Sequence, residues 1–111
     1  MAKLECRVTG NFDEVLRKIT DGIENSSFTS SLEDGSDYTF GDVRCSVRVF
    51  ERYSYMGQNR VSLNLTLLQV GNEPIQLSAI TSGGSQAMFV KLNTFGEESF
   101  LGVLKSVLGL K

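Results

Sequence analysis

Apolar and polar residues alternate along five segments of the chain, and this period of two predicts β-strands, whose successive side chains point to opposite faces of a sheet. In the longest segment, residues 43–55, the apolar set is Val43, Cys45, Val47, Val49, Tyr53 and Tyr55, and the polar set is Arg44, Ser46, Arg48, Arg52 and Ser54. The other segments are residues 3–9, 28–33, 61–67 and 75–79. We expect each strand to bury its apolar side.

Two further segments have the apolar spacing of helices. Asn11 is followed three residues later by Glu14, which is typical of a helix start, and apolar residues then recur at helical spacing to about residue 25. Thr94 and Glu97 have the same spacing ahead of an apolar run from Phe100 to Leu110. The sequence therefore predicts an early helix and a terminal one.

Short turns connect the predicted strands, which favours antiparallel pairing. We place turns at residues 34–35, 57–59 and 72–74, and the glycines at 83–84 form a turn or bulge. Residues 87–93 read as a sixth strand or as a continuation of the fifth. The predicted fold is a single α+β domain over residues 1–111, a two-layer sandwich whose antiparallel sheet of five or six strands carries both helices on one face.

Composition narrows the function classes. The 111 residues include no histidine and no tryptophan, and their net charge is −2. Without histidine the commonest general base and nitrogen metal ligand are missing, so we expect no enzyme, no metal site and no cofactor. The net charge is weakly acidic, so the electrostatic field of the whole molecule predicts no nucleic-acid partner.

Cysteine usage and hydropathy bear on the compartment. Cys6 and Cys45 stand in phase with apolar neighbours, as expected for reduced thiols that act as small hydrophobic groups. The longest wholly apolar run is residues 87–90, far below the ~18 residues that a membrane span needs. With no recognisable signal peptide at residues 1–7, we expect a cytoplasmic protein that makes no membrane contact.

Several stretches resemble a family of small bacterial proteins of about this length whose function is uncharacterised. They are AKLECRVTGNFDEVLRKI, VRCSVRVFERYSY, NRVSLNLTL and AITSGGSQAMFVKLNTFGEESFL. The resemblance covers nearly the whole chain but implies no activity, so no functional residue is carried over from it. The element order is also similar to that of TATA-binding-like and helix-grip folds, whose members bind DNA, lipids or small molecules; fold analogy guides function weakly.

The predicted open face of the sheet is the first candidate site. It would carry Arg44, Arg48, Arg52 and Arg60, with Phe50 among them. Arginines beside an aromatic ring can bind phosphate and stack on bases. A solvated face with weak ion pairs, a protein interface and an anion site all remain open.

Two further candidates come from small residues. Ser82, Ser85 and Gln86 flank the glycine pair and could contact a ligand, although a simple turn explains the pattern as well. In the terminal helix, one side carries only small residues: Ser99, Gly102, Ser106 and Gly109. Such small side chains would allow a second helix to approach closely. A homodimer would explain these glycines, and so would fraying of the helix end.

These patterns favour a non-enzymatic module that self-associates, as a homo-oligomer and most simply a dimer. The alternative is a small ligand bound in a groove between the C-terminal helix and the sheet. Aromatic residues that could line such a groove are Tyr38, Tyr53, Tyr55 and Phe89.

Overall fold

The computed structural model describes residues 1–27, 29–53, 60–83 and 90–110, with residues 90–96 described as backbone only. Along the chain the elements are β1 (Ala2–Val8), α1 (Phe12–Glu24), β2 (Ser31–Phe40), β3 (Val43–Tyr53), β4 (Arg60–Val70), β5 (Ile75–Gly83) and α2 (Val90–Leu108). The predicted α+β class is confirmed, and the sheet has five strands in the described part of the chain.

The sheet is antiparallel throughout, with strand order β1-β5-β4-β3-β2. Strands β2 to β5 follow one another as hairpins. Strand β1 pairs with β5, with Ala2 opposite Thr81 and Val8 opposite Ile75, so the connection through α1 crosses from one edge of the sheet to the other. Consequently β1 and β2 are the two edges, and β3, β4 and β5 lie inside.

The hydrophobic core lies between the sheet and the two helices. Its largest fully buried apolar side chains are Ile19 and Ile23 of α1, Phe100 and Leu104 of α2, and Phe50, Leu63, Leu65, Leu67 and Ile75 of the sheet. Removing such side chains from water is the main favourable term in folding. Within the described residues, neither helix combines the length and apolar character needed to cross a membrane.

The predicted start of α1 is confirmed. The side chain of Asn11 accepts a hydrogen bond from the amide of Glu14 at 3.0 Å, which satisfies one of the free N–H groups of the first turn. Two acids in that turn, Asp13 and Glu14, complement the positive end of the helix dipole. The helix ends at Glu24, one residue before the predicted end.

The start of α2 differs from the prediction. The helix begins at Val90, so the prediction of an extended segment at residues 87–93 is wrong for residues 90–93. Residues 84–89 lie outside the described residues. Glu97, assigned to the helix start from its spacing, is instead in the interior of the helix and 4% exposed. Its carboxylate is 2.8 Å from the α-ammonium of Met1. This ion pair holds the start of β1 against α2.

Strand β2 is longer than the sequence predicted. It continues through Asp34 and Gly35, where a turn was expected, and its pairing with β3 shifts by one residue between Leu32 and Asp34. The true turn is at residues 41–42, where Gly41 has φ +57°, a conformation that glycine adopts without strain. Residues 28 and 54–59, which include the predicted turn at 57–59, lie outside the described residues.

Candidate interaction surface on the open face of the sheet

The two faces of β3 are the reverse of the sequence prediction. Phe50 and Ser46 are buried on the helix side, although they belong to the set of β3 residues predicted to be exposed. Phe50 pairs with Leu63 and Ser46 with Leu67, and residues paired across antiparallel strands share a face. Arg44, Arg48 and Arg52 therefore lie on the helix side as well, and the predicted basic open face is wrong.

Arg44 is held against the first turn of α1. Its Nη2 lies 2.8 Å from Oδ1 of Asp13, and its guanidinium carbon is 4.2 Å from the ring centroid of Phe12. The hydrogen bond from Arg44 lowers the pKa of Asp13 and raises that of Arg44. Arg44 thus links α1 to β3.

Arg48 folds over the neighbouring strand. Its Nη2 is 3.0 Å from Oδ1 of Asp37, and its Nη1 donates to the carbonyl of Val47 at 2.8 Å. A Cβ on Gly35 would lie 2.7 Å from Cδ of Arg48, so this path requires glycine. The hydroxyl of Ser46 donates to Asp37 at 2.6 Å and, with help from Arg48, lowers the pKa of that carboxyl.

Arg52 packs against α2. Its guanidinium carbon lies 4.8 Å from the ring centroid of Phe100, and its Nη2 donates to Oγ of Ser99 at 3.1 Å. Burial lowers the pKa of Arg52, since the charged form loses solvation. Like the other two arginines of β3, Arg52 donates hydrogen bonds to other groups of this chain.

Arg60 does lie on the open face, at the end next to residues 54–59. It stacks on the ring of Tyr53 at 4.8 Å and donates a hydrogen bond to its hydroxyl. Glu51 is 3.5 Å away and, after the Tyr53 hydrogen bond, is the next cause that raises the pKa of Arg60. Its charge is therefore partly compensated at this end of the sheet.

Turned away from the helices is an apolar surface, which we call the open-face patch. Cross-strand pairing places its residues together on β2, β3 and β4: Tyr38, Phe40, Val43, Cys45, Val47, Val49, Leu68 and Val70. Phe40 is 76% exposed, Tyr38 55% and Val70 47%. An apolar surface of this kind often marks an interaction site.

Most of the remainder of the open face is polar, although it includes Ile80 of β5, which is 39% exposed. On β5 and β1 the pairing continues through Gln76 to Arg7 and through Ser78 to Glu5. These residues line a shallow depression of about 370 Å³ together with parts of β4. The open face thus changes from apolar at the β2 edge to polar and charged at the β1 edge.

The aromatic groove predicted between helix and sheet is not built as expected. Tyr38 and Tyr53 lie on the open face, away from the helices. Tyr55 and Phe89, like Ser85 and Gln86 of the glycine turn, lie outside the described residues. Ser82 is described: its hydroxyl is 2.9 Å from that of Ser62 on β4, so it makes a cross-strand contact.

The two glycines of α2 have different environments. Gly109 has φ +77°, and the bonds from its amide to the carbonyl of Ser106 and from Leu110 to Lys105 form a Schellman cap. This cap accounts for Gly109 without a partner helix. A Cβ on Gly102 would meet no atom within 4 Å, so packing within the described structure does not require glycine there.

Phe40, Leu68 and Val70 were not predicted from the sequence as residues of an exposed apolar surface. A two-residue turn at 41–42 would have placed Phe40 opposite Val43, and the consecutive leucines at 67 and 68 place one apolar side chain on each face of β4. Both signals are local. Neither reveals which face the helices cover.

The chain was compared with family models, curated proteins and solved structures. Residues 1–109 match the model of DUF6054, described as a family of unknown function. No curated protein and no solved structure matches the chain. Because the match spans nearly all of its length, the chain belongs to the DUF6054 family.

Proposed function

We propose that this domain is a non-enzymatic interaction module that self-associates through the open face of its sheet. The observation that carries the proposal is the open-face patch, in which two aromatic side chains are more than half exposed. Strand β3 presents four apolar side chains on this face, although Phe50 and Ser46 on its helix side are already buried. A sheet that is apolar on both faces needs a second covering layer.

The free edge of β2 is a poorer docking site than the face. Glu33 lies at the break in register, and Asp34 and Asp37 follow it along the same strand. A bulge and charged side chains are common means of preventing edge-to-edge pairing. Pairing of β2 with its copy would also bring these acids together, so we favour contact between the faces of two sheets.

The size of the open-face patch fits a weakly bound second copy. Its three strands over about seven residues measure roughly 14 by 23 Å from strand spacing and rise. Two such patches cover roughly 650 Å², which is below the lower bound of about 1,200 Å² for specific, stable interfaces and in the range of weak, transient contacts. A two-fold axis would place the same patch of both copies in contact. We therefore expect a dimer with a dissociation constant in the micromolar range.

The surroundings of the arginines support a role without catalysis. Arg44 and Arg48 bind carboxylates of this chain, and Arg52 binds a serine and an aromatic ring. These contacts connect strands and helices, which is a structural role. The sequence also lacks histidine, the commonest acid-base catalyst.

Sedimentation equilibrium of the protein and of a Tyr38→Ser/Phe40→Ser variant tests the proposal. Both side chains are exposed, so their replacement should leave the fold intact, as circular dichroism would show. We expect a concentration-dependent dimer for the unmodified chain and at least tenfold weaker association for the variant. Leu110→Ser is the matched control, because Leu110 is 43% exposed at the end of α2 and away from the patch.

A monomeric unmodified chain at several hundred micromolar would refute the proposal. So would a double variant that dimerises as tightly as the unmodified chain.

A further inference from the structure

A second cavity lies on the other side of β1, where this strand meets α1 and the C-terminal end of α2. Its volume is about 340 Å³. About half of its wall is apolar, contributed by Val8, Val15, Leu108 and Leu110. The cavity is thus a half-open cleft bordered by three elements that the open-face patch does not use.

The polar part of the wall includes two cations. Arg7 and Lys18 both line the cavity together with Thr9, and among the described residues no aspartate or glutamate does. Among the described residues, neither cation has a carboxylate within 4.0 Å, in contrast to Arg44, Arg48 and Arg60. Burial raises the pKa of the Cys6 thiol at the same wall, so this group stays neutral at physiological pH and adds no negative charge.

We propose that this cavity binds a small amphiphilic anion, an alkyl chain that carries one carboxylate. The chain would contact the valines and leucines, and the carboxylate would bind Lys18 and Arg7. Binding would remove the apolar wall from water and supply the charge that the two cations lack within the described structure.

The size of the cavity limits the ligand. Small-molecule pockets range over about 300–1,000 Å³, and this cavity lies near the lower bound. It fits one short or medium alkyl chain and excludes a lipid with two chains. The site is independent of the proposed dimer, because the open-face patch is formed by β2, β3 and β4.

Isothermal titration calorimetry with sodium decanoate, kept below its micelle concentration, tests the proposal. Lys18 lines this cavity and not the depression on the open face, whereas Arg7 borders both. The variant Lys18→Gln therefore tests this cavity specifically. We expect decanoate to bind the unmodified chain and to bind Lys18→Gln at least fivefold more weakly. Arg17→Gln is the matched control, an exposed cation of α1 that does not line the cavity and whose loss should change affinity less than twofold.

Two further measurements separate this site from the open face. Decanol has the same chain without the charge and should bind at least fivefold more weakly than decanoate. The Tyr38→Ser/Phe40→Ser variant should keep its affinity for decanoate. The proposal fails if decanoate does not bind, if decanol binds equally well, or if the open-face variant loses binding while Lys18→Gln retains it.

Discussion

At the scale of single residues, arginine on the helix side of a sheet is stable when its charge is compensated and its carbon stem is packed. Arg48 meets both conditions: its side chain is 18% exposed, its stem crosses Gly35, and its guanidinium lies beside Asp37. Asp37 also accepts from the buried Ser46. These contacts fasten the exposed strand β2 to β3.

The Asp37 contacts predict a dependence of stability on pH. Because the folded-state pKa of Asp37 is below its unfolded value of about 3.9, the ionised carboxylate stabilises the fold above that pH. The contribution is lost as pH falls through the lower, folded-state pKa. Solvent screening of this exposed pair limits it to at most about 1 kcal/mol.

Urea unfolding of Asp37→Asn between pH 7 and pH 2 would measure this contribution. We expect the variant to be less stable at pH 7 and the difference from the unmodified chain to shrink below about pH 4. Asp21→Asn, which removes an exposed acid of α1 with no ion-pair partner among the described residues, is the control. A difference that stays constant down to pH 2 would contradict the assignment.

At the scale of elements, the two helices approach each other closely at one glycine. A Cβ on Gly22 of α1 would lie 2.5 Å from Cγ2 and 3.3 Å from Cβ of Val107 on α2. Valine in a helix has one strongly preferred rotamer, so it cannot turn away at low cost. Gly22 therefore sets the distance between the helices, whereas Gly102 has open space around it.

Alanine at these two glycines should change stability in opposite directions. Gly22→Ala gains about 1 kcal/mol of helix propensity but overpacks the contact, which costs about 1–3 kcal/mol, so we expect net destabilisation. Gly102→Ala gains the propensity without a clash and should stabilise by about 0.5–1 kcal/mol. Thermal or urea unfolding would measure both; stabilisation by Gly22→Ala would show that the helices can separate without cost.

The sequence predicted the positions of the strands better than it predicted which face of each strand the helices cover. Alternation shows which residues of β3 share a face, but Val47 and Phe50 are both apolar and lie on opposite faces. Which face the helices cover depends on contacts such as Phe50 with its neighbours in the core, far apart in the chain. The start of α2 was also missed, because Glu97 fits a capping pattern yet is paired with the α-ammonium of Met1.

At the scale of the whole molecule, the sheet has apolar surface on two sides and helices on only one. The helices cover the side that carries Leu63, Leu65 and Leu67 of β4, and the open-face patch lies on the other side. Cys45 stands within this patch, between Tyr38 and Leu68, whereas Cys6 contacts the core. The reactivity of Cys45 can therefore report on assembly.

Association through the open face should protect Cys45 from thiol reagents. In a Cys6→Ser variant, we expect the rate of reaction with Ellman's reagent to fall as protein concentration passes through the dimer dissociation constant. The same variant carrying Tyr38→Ser/Phe40→Ser should react at a rate independent of concentration. A rate that does not depend on concentration in either protein would argue against burial of Cys45 in a dimer.

The pairing of β1 with β5 has a consequence for synthesis on the ribosome. Ala2 of β1 pairs with Thr81 of β5. Strand β1 therefore has no partner in the sheet until about three quarters of the 111 residues have emerged. The hairpins from β2 to β5 connect neighbours and can form as they are translated, because closing short loops costs little entropy. Strand β1 is therefore the last strand able to join the sheet, although it is the first of the five to be synthesised.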